Sequence, residues 1–240
     1  MSEWFKTWFD SDYYHLLYKD RDHTEAEKFI NNIYQYLNPN PNDTVLDLAC
    51  GKGRHSIYLN RMGAAVEGCD YSENSINYAK QFENDRLRFY SHDMRNRLPK
   101  TYDYIFNLFT SFGYFESIEE HQMTLQNIFN GLNDKGLFIF DFMNSVHVLE
   151  HLVANEEVQK GSVSFNIKRE LIEGFITKHI SFEINGNEHK YKEEVRALHP
   201  EELIKMMENC GFSVQEKFGN YQLAPFDLQK SKRFILILSK

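Results

Sequence analysis

Two glycines and an aspartate stand at the end of a short apolar run in the first quarter of the chain. The segment reads VLDLACGKGRHS, with Asp47 inside the apolar run and Gly51 and Gly53 after it. Glycines let a backbone approach a ligand closely, and the helix predicted next begins with N–H groups that lack partners inside that helix. The pattern predicts a strand–loop–helix unit that binds a nucleotide-like ligand, although a tight turn without a ligand uses the same glycines.

Two details separate this loop from the dinucleotide fingerprint G-x-G-x-x-G. Ser56 stands at the position of the third glycine, and Asp47 brings a carboxylate into the strand. A pyrophosphate suits neither detail, whereas Asp47 would attract a ligand with an ammonium and a sulfonium. An NAD-dependent oxidoreductase stays open as the less favoured alternative. Lys52 and Arg54, which flank Gly53, are expected to point to solvent.

Two further aspartates follow the next two predicted strands. Asp70 closes the second strand at the spacing where an acid accepts hydrogen bonds from ribose hydroxyls, and it would repel a 2′-phosphate. Helix capping, the other common role of such an aspartate, is better filled by Ser72. Asp93 lies in the segment SHDMR, where it can accept from an adenine amino group and Met94 can offer backbone contacts. Taken in series with Asp47, these acids indicate one ligand site.

An aromatic segment follows the fourth predicted strand, which ends at Asn107. Residues 108–115, LFTSFGYF, combine Thr110, Ser111 and Tyr114 with three phenylalanines. Loops at this edge of a parallel sheet form the ligand crevice. Aromatic faces attract a sulfonium, but we expect two of the three phenylalanines to be ordinary core residues.

The elements that carry these residues alternate between strands and helices. Apolar runs predict strands at residues 44–49, 65–69, 87–90, 102–108 and 136–142, with helices near 55–62, 73–82 and 118–132. Such alternation is typical of a parallel sheet with helices on both faces. A helix over 200–209 and strands at 212–218 and 233–238 complete the chain.

Two segments depart from this alternation. Residues 155–198 contain three predicted strands without helices, at 162–168, 175–184 and 190–197, and Asn185-Gly186 is a strong hairpin signal. We interpret this segment as an antiparallel insert that caps the ligand site of the domain. Residues 1–40 are predicted to be a helical lid, because apolar residues recur at helical intervals before Pro39. Without linkers or repeats, residues 1–240 are predicted to form a single domain.

The composition limits the partners that we expect. The chain has 240 residues and a net charge of −8, so it has no general attraction to nucleic acid. No apolar stretch approaches the roughly 20 residues of a membrane span. Three widely spaced cysteines and an N-terminus unlike a secretory signal predict a cytoplasmic protein. His147 and His151 have the spacing of metal ligands, but no third ligand is apparent, and we predict no metal site. Monomer and homodimer stay open.

Taken together, the motifs resemble those of the class I S-adenosylmethionine (SAM)-dependent methyltransferases, over nearly the whole chain. LDLACGKGRHS resembles their first SAM motif, GCDYS supplies the ribose acid and HDM the adenine-edge acid. The resemblance implies a Rossmann-like α/β fold with a seven-stranded sheet of order 3-2-1-4-5-7-6, strand 7 antiparallel. The SAM-binding residues that we predict are Tyr14, Arg21, Asp47, Ala49, Gly51, Gly53, Asp70, Tyr71, Asp93, Met94 and Asn107.

The roles of some of these residues follow from the resemblance alone. It implies that Tyr71 lies next to the adenine and that Tyr14 and Arg21 reach the methionyl carboxylate of SAM, with Tyr13 as a rival to Tyr14. The product would be S-adenosylhomocysteine (SAH). His199 stands where many relatives have Ser or Thr as a helix cap, which concerns only local capping.

The predicted reaction is methyl transfer to a nitrogen or oxygen of a small molecule held under the insert. Most of the acceleration would come from orienting the acceptor and excluding water, so a general base is optional. Candidates for such a base are His15, Tyr13 and Tyr114. A SAM-binding protein without turnover is the alternative, since a SAM pocket and an acceptor pocket are separate features.

Overall fold

The computed structural model describes residues 4–19 and 23–240, and its helices and strands follow the predicted alternation closely. The helices are α1 (Trp4–Trp8), α2 (Asp12–Leu17), α3 (His23–Leu37), α4 (Arg54–Arg61), α5 (Glu73–Ala79), α6 (Ile118–Asn130), α7 (Ser145–Glu150) and α8 (Pro200–Asn209). The strands of the main sheet are β1 (Thr44–Leu48), β2 (Ala65–Asp70), β3 (Leu87–Ser91), β4 (Tyr102–Asn107), β5 (Leu132–Met143), β10 (Ser213–Phe218) and β11 (Arg233–Ser239). The insert strands are β6 (Asn155–Lys160), β7 (Val163–Ile172), β8 (Phe175–Ile184) and β9 (Asn187–Arg196).

The main sheet has the order β3-β2-β1-β4-β5-β11-β10. β1 pairs in parallel with β2 and β4, whereas β11 runs antiparallel to both β5 and β10. The predicted order with an antiparallel last strand is therefore confirmed. The parallel arrangement brings the ends of β1, β2, β3 and β4, and with them the predicted acids, to one edge of the sheet.

Helices cover both faces of this sheet, because neighbouring residues of each buried strand point to opposite sides. Leu46, Phe138 and Leu236 pack with residues of α6 and α8, whereas Val45 and Ile139 pack on the opposite face. The second face is covered by α3, α4 and α5. The result is a three-layer Rossmann-like α/β fold, as the sequence predicted.

Polar side chains cap the N-termini of two helices, α5 and α8. Ser72 accepts a hydrogen bond from the Ser75 amide at 3.0 Å, so it is the cap of α5, as predicted. His199 also caps its helix, because its Nδ1 accepts from the Glu201 amide at 3.3 Å. The departure from Ser or Thr at this position therefore leaves α8 with a cap.

The insert forms a separate antiparallel sheet of order β6-β7-β8-β9. Three of its strands were predicted, and the Asn185-Gly186 turn joins β8 to β9 as expected. β6 was missed because its sequence, NEEVQK, has a single apolar residue. The backbone hydrogen-bonding groups of such a polar edge strand are satisfied by pairing with the neighbouring strand, so the strand needs no apolar pattern.

The N-terminal helices divide between the two sheets. Trp4, Trp8 and Leu17 of α1 and α2 are buried in a cluster with insert residues that include Phe165 and Ile180. α3 instead packs on the main sheet, where its residues Phe29, Ile30 and Ile33 are buried. The predicted lid over residues 1–40 is therefore too long, because α3 belongs to the Rossmann core. We call residues 4–19 the N-terminal segment.

Candidate active site

A cavity of about 410 Å³ lies at the edge of the sheet where β1, β2, β3 and β4 end. The N-terminal segment covers it. We call it the first cavity. Its lining residues are Phe5, Phe9, Tyr14, His15, Tyr18, Lys19, Asp47, Leu48, Ala49, Cys50, Gly51, Lys52, Arg54, His55, Asp70, Tyr71, Ser72, Ser75, His92, Asp93, Met94, Leu108, Phe109, Ser111, Tyr114 and Phe115.

The loop after β1 presents its backbone to this cavity. Gly51 has φ +55°, and a Cβ at this position would find no heavy atom within 4 Å, so the residue faces open space. Gly53 has φ +78°, and a Cβ there would come within 2.7 Å of the Phe89 ring. Gly51 therefore borders the space for a ligand, whereas Gly53 is required by close packing at the start of α4.

Asp70 connects the end of β2 to this loop. Its Oδ2 accepts a hydrogen bond from the Gly51 amide at 2.8 Å, and its Oδ1 accepts one from the Ser72 amide at 2.8 Å. Burial raises the pKa of Asp70, and these amide hydrogen bonds oppose the rise. A carboxylate offers about four lone-pair sites, more than the amides of Gly51, Tyr71 and Ser72 occupy, so Asp70 can still accept from a hydroxyl in the cavity.

Asp47 is buried at the base of the cavity. It is 1% exposed, and one of its oxygens accepts a hydrogen bond from the Ser56 hydroxyl at 2.5 Å. Burial raises the pKa of Asp47 to about 6, against the opposing effect of this hydrogen bond. A ligand cation would offset the cost of burying the charge.

Asp93 lies at the third strand end and is held by Arg95. A guanidinium nitrogen of Arg95 is 2.7 Å from Oδ2 of Asp93, and another is 3.1 Å from Glu120. Burial alone would raise the pKa of Asp93, but Arg95 holds it below its ordinary value. The carboxylate is therefore charged at neutral pH and fixed in orientation beside the cavity.

The structure brings most of the predicted binding residues together and leaves others outside the cavity lining. Tyr14, Ala49, Gly51, Asp47, Asp70, Tyr71, Asp93 and Met94 line it, together with the predicted base candidates His15 and Tyr114. Gly53 and Asn107 are not in the lining. The Asn107 side chain is fully buried, and its Nδ2 donates to the Leu48 carbonyl at 3.1 Å. Arg21 lies outside the described residues.

Tyr13 also lies outside the cavity lining. Its ring packs on the insert, 4.7 Å from the Phe182 ring and 5.0 Å from the His189 ring. This packing turns the side chain to the insert and leaves Tyr14 as the tyrosine of this helix that faces the cavity. The position of Tyr13 does not support a role as a base.

The expectation that Lys52 and Arg54 point to solvent is wrong. The Arg54 guanidinium lies 5.1 Å from the centre of the Phe109 ring, and the His55 ring stacks on the same phenylalanine at 4.7 Å. Lys52 lies over the Tyr78 ring at 5.1 Å and also lines the cavity. The position of Arg54 directly after the glycine loop is the sequence signal that could have identified it.

A second cavity of about 620 Å³ adjoins the first. Five residues line both cavities and form what we call the shared wall: Phe9, Tyr14, Arg54, Phe109 and Tyr114. The other residues of the second cavity are Trp4, Thr110, Met143, Glu193, Val195, Asn220, Tyr221, Gln222, Lys232 and Arg233.

The shared wall is mostly aromatic. The Phe9 ring lies 5.0 Å from Tyr14 and 5.4 Å from Tyr114, and Trp4 contacts Tyr114 at 5.5 Å. All three contacts are edge-to-face, which is a favourable geometry for aromatic pairs. Of the three phenylalanines in the loop after β4, Phe112 and Phe115 are buried and Phe109 is the partly exposed one, in line with two core residues among three.

Glu193 of the insert ties the N-terminal segment to the second cavity. Its Oε1 accepts from the Trp8 indole N–H at 2.6 Å and from the Tyr18 hydroxyl at 2.6 Å. The Lys178 ammonium lies 3.3 Å from its other oxygen. These three partners engage both carboxylate oxygens, so Glu193 connects the N-terminal segment to the insert.

His147 and His151 stack on one another at 4.2 Å on and just after α7. Within residues 4–19 and 23–240, no group of three His, Cys, Asp or Glu side chains could hold a metal ion. None of the helices in this part of the chain is long and apolar enough to cross a membrane.

The fold and the site define a Rossmann-like enzyme whose cofactor loop is not of the dinucleotide type. The family profile described as "Methyltransferase domain" matches residues 39–202. The chain therefore belongs to this methyltransferase family, and it is a SAM-dependent methyltransferase of class I. The NAD-dependent oxidoreductase alternative has no support from the family match.

Individual relatives agree with this assignment. The putative methyltransferase YqeM of Bacillus subtilis is 28% identical over 191 residues, which covers 74% of this chain and 76% of that protein. The glycine/sarcosine N-methyltransferase of Halorhodospira halochloris is 35% identical over 115 residues, 45% of this chain and 42% of that protein. A SAM-dependent methyltransferase structure from Clostridium acetobutylicum has a TM-score of 0.79 at 20% identity and covers 95% of both chains.

Proposed function

We propose that the first cavity binds SAM and that the second cavity holds a small molecule that is methylated on nitrogen. The observation that carries this proposal is the shared wall, whose five residues line both cavities. A cofactor on one side and an acceptor on the other would meet across these residues. The insert, through Glu193 and Val195, would cap the acceptor, as the sequence led us to expect.

The residues of the first cavity fit SAM chemically. The open space at Gly51 would admit the ligand against the backbone, and the remaining acceptor capacity of the Asp70 carboxylate suits a ribose hydroxyl. The buried charge of Asp47 would be offset by the methionyl ammonium. Asp93 and Met94, with Tyr71 beside them, would hold the adenine, and Tyr14 with Arg21 the methionyl carboxylate.

When bound, SAM supplies an electrophilic methyl group on a sulfonium. The aromatic rings of Phe9, Tyr14 and Tyr114 offer faces that attract a cation, and they exclude water from the region between the cavities. The remaining work of the chain is orientation of the acceptor, which can account for a large part of the acceleration.

A nitrogen acceptor is favoured because no carboxylate or histidine among the described residues that line the second cavity is available as a base. Glu193 is the only carboxylate among the described residues lining the second cavity, and its three partners occupy it. His15 lines only the first cavity, and the Tyr114 hydroxyl donates to the Thr110 carbonyl. A neutral amine needs no base, whereas a hydroxyl acceptor is helped by one. The Halorhodospira relative is named as an N-methyltransferase, which agrees with this choice.

The remaining expectations on partners continue as part of the proposal. A small-molecule acceptor suits a second cavity of about 620 Å³, and no nucleic-acid partner is expected for a chain with net charge −8. A cytoplasmic location agrees with three free, buried cysteines.

The proposal is tested first by binding. Calorimetry is expected to give micromolar affinity for SAM and SAH and no heat with NAD. Gly51→Val should abolish SAM binding, because its side chain would enter the open space. Gly174→Val is the matched control, because Gly174 also has a positive φ of +82° with no heavy atom near its Cβ position, but lies in the insert. Equal binding by both variants would contradict the SAM site.

Turnover is tested separately with SAM that carries an isotope-labelled methyl group. The protein is incubated with pooled small-molecule amines and with matched pooled alcohols, and labelled products are identified by mass spectrometry. Label in an amine product supports the full proposal, and label in an alcohol product overturns the nitrogen acceptor. Binding of SAM without any labelled product from metabolite extracts would favour a SAM-binding protein without turnover.

A further inference from the structure

The turn between α1 and α2 contacts the start of α5 through Asp10. The Oδ1 atom of Asp10 accepts a hydrogen bond from the Ser72 hydroxyl at 2.6 Å, and its Oδ2 atom accepts one from the Asn74 side-chain amide at 2.6 Å. α1 and α2 themselves pack on the insert, whereas α5 covers the main sheet. Asp10 therefore joins the N-terminal segment to the part of the fold that carries the proposed SAM site.

This contact lies directly beside residues assigned to the cofactor. The Ser72 amide donates to Oδ1 of Asp70 at 2.8 Å, so the residue that Asp10 holds also holds the carboxylate proposed to bind the ribose. Next to it, the Phe5 ring meets the Tyr71 ring edge-on, with 6.0 Å between the ring centres. The N-terminal segment thus covers the end of the first cavity where we place the ribose and the adenine.

A further cavity of about 430 Å³, which we call the side cavity, continues from the first cavity at this end. Seven of its lining residues also line the first cavity, Tyr71 and Ser72 among them, and the other three are Asp10, Glu73 and Ser91. Glu73 and Ser91 are exposed, and Tyr71 is 41% exposed. The side cavity therefore connects the cofactor cavity with the protein surface, and Asp10 lies in its wall.

The two attachments of the N-terminal segment differ in strength. On the insert side, Trp8 is fully buried and its indole N–H donates to Glu193. On the α5 side, the hydrogen bond from Asn74 is exposed to solvent and the one from Ser72 is only partly buried. Water can replace exposed hydrogen bonds at little cost, whereas withdrawing a buried indole from its packing is costly. The contact with α5 should therefore open more readily than the contact with the insert.

We propose that Asp10 is a latch on the passage by which SAM enters and SAH leaves the first cavity. This inference rests on the proposed function. When the latch opens, water replaces the Ser72 hydroxyl and the Asn74 amide at the Asp10 carboxylate, and Phe5 moves away from Tyr71. α1 and α2 stay packed on the insert during this exchange.

A latch at this place gives the turnover rate a control point away from the reacting atoms. Product release or lid opening limits turnover in many enzymes. The strength of two hydrogen bonds would set how long SAH is retained, and with it how quickly the next SAM binds. Asp10 acts on this exchange and takes no part in the methyl transfer itself.

The inference is tested by the rate at which radiolabelled SAH leaves the protein when excess unlabelled SAH is added. Asp10→Ala removes both hydrogen bonds, and release should be about three- to ten-fold faster than from the wild-type protein. Entry uses the same passage, so SAH association should be faster as well, and the equilibrium affinity should change less than either rate. The N-terminal segment should stay as resistant to proteolysis as in the wild type, because Trp8 and Glu193 are unchanged.

Asn74→Ala and Asn77→Ala provide the matched comparison. Burial, and to a smaller extent the charge of Asp10, raise the pKa of Asp70, so Asp10→Ala also changes the electrostatics of the ribose site. Asn74→Ala removes one latch hydrogen bond without a change in charge, and it should accelerate release about two- to five-fold. Asn77 is exposed on the same helix and lines neither the first cavity nor the side cavity, so Asn77→Ala should release SAH at the wild-type rate.

The outcomes separate the latch from the proposed function. If wild-type protein binds SAH but Asn74→Ala releases it no faster than Asn77→Ala, the latch is wrong and the SAM site stands. Faster release from Asp10→Ala that is accompanied by rapid proteolysis of its N-terminal segment also contradicts the latch, because the segment has then left the insert. If wild-type protein does not bind SAH by calorimetry, the proposed function itself fails.

Discussion

Arg233 and Asp141 form an ion pair directly behind the loop that separates the two cavities. The Arg233 guanidinium is 2.7 Å from Asp141, which is fully buried, and it also donates to the Thr110 hydroxyl at 3.0 Å. Asp141 accepts from the Phe109 amide at 2.8 Å. Phe109 and Thr110 have φ of +59° and +63°, a left-handed conformation that costs about 1–2 kcal/mol per residue. The pair therefore holds a strained loop in the shape that builds the shared wall.

Removing one partner of this pair should be more harmful than replacing both. Burial raises the pKa of Asp141 and Arg233 opposes that rise, so Arg233→Met leaves a buried carboxylate without its counter-ion. We expect Arg233→Met to lower the free energy of unfolding by about 3–5 kcal/mol, and the double variant with Asp141→Asn to lose less. Urea denaturation measures both.

Arg88→Met is the matched control, because Arg88 is exposed on β3, and it should change stability by less than about 0.5 kcal/mol. A double variant less stable than Arg233→Met would contradict the role given to the pair.

Asp70→Ala should weaken SAM binding by about 2–4 kcal/mol, because it removes charge-assisted hydrogen bonds to the ribose and leaves the ribose hydroxyls unpaired. Calorimetry checks the affinity. Asp103→Ala serves as the control, because Asp103 also accepts a backbone hydrogen bond, from Thr44 at 2.8 Å, but does not line the cavity. It should lower stability and leave SAM affinity unchanged. If Asp70→Ala binds SAM with wild-type affinity, Asp70 does not bind the ribose.

Asp47→Asn should stabilise the ligand-free protein while it weakens SAM binding. Burial raises the pKa of Asp47 from 3.8 to about 6, so the folded state holds this proton more tightly than the unfolded chain. The stability that comes from this tighter proton binding is present below about pH 4 and is lost as the pH rises through 6, which lowers the free energy of unfolding by about 2–3 kcal/mol. The Asp47→Asn variant has no buried charge at this position, so its free energy of unfolding at pH 8 should exceed that of the wild-type protein by about 1–2 kcal/mol.

The same titration predicts how SAM binding depends on pH. The methionyl ammonium favours the charged form of Asp47, so affinity should rise from pH 5 to pH 7 and level off above. Asp47→Asn should bind SAM more weakly and with a flatter profile. Calorimetry across this range checks both statements, and an unchanged profile in the variant would place the ammonium elsewhere.

The fold was accessible from the sequence because its signals are local and repeated. The apolar runs of β1, β2 and β4 and the turn at Asn185-Gly186 each report their own structure. β6 escaped because an edge strand is stabilised by pairing with β7, which its own residues do not encode. The division of the N-terminal helices escaped because α1 and α3 are both amphipathic, and periodicity does not say which sheet a helix covers.

The site was partly predictable for the same reason. Residues that follow strands in sequence, such as Asp70 and Asp93, were found because strand ends meet at one edge of the sheet. Arg54 was assigned to solvent, although it directly follows the glycine loop, because the sequence does not show that the distant Phe109 ring lies against it. The second cavity depends on Lys232, Glu193 and Trp4, which are far apart in the chain and meet only through the tertiary fold.

The N-terminal segment is attached to the insert, and we expect the two to act as one unit that closes the cavities. Trp8 is fully buried, and Glu193 accepts hydrogen bonds from both Trp8 and Tyr18. Cleavage in the N-terminal segment of the wild-type protein should therefore be slow both with and without SAH. Glu193→Ala removes these two hydrogen bonds, so the N-terminal segment of the variant should be cleaved rapidly without ligand and more slowly with SAH. The SAM affinity of the variant should fall severalfold, because Phe9 and Tyr14 are no longer held in place.

Glu194→Ala is the matched control, because Glu194 is the neighbouring acid on β9 and pairs with Lys192 at 2.9 Å. It should be cleaved and bind SAM as the wild type does. Rapid cleavage of the wild-type segment without SAH, with strong protection on adding it, would contradict a single unit. The N-terminal segment would then close over the ligand independently of the insert, as a lid that orders only when the methionyl end of SAM is bound.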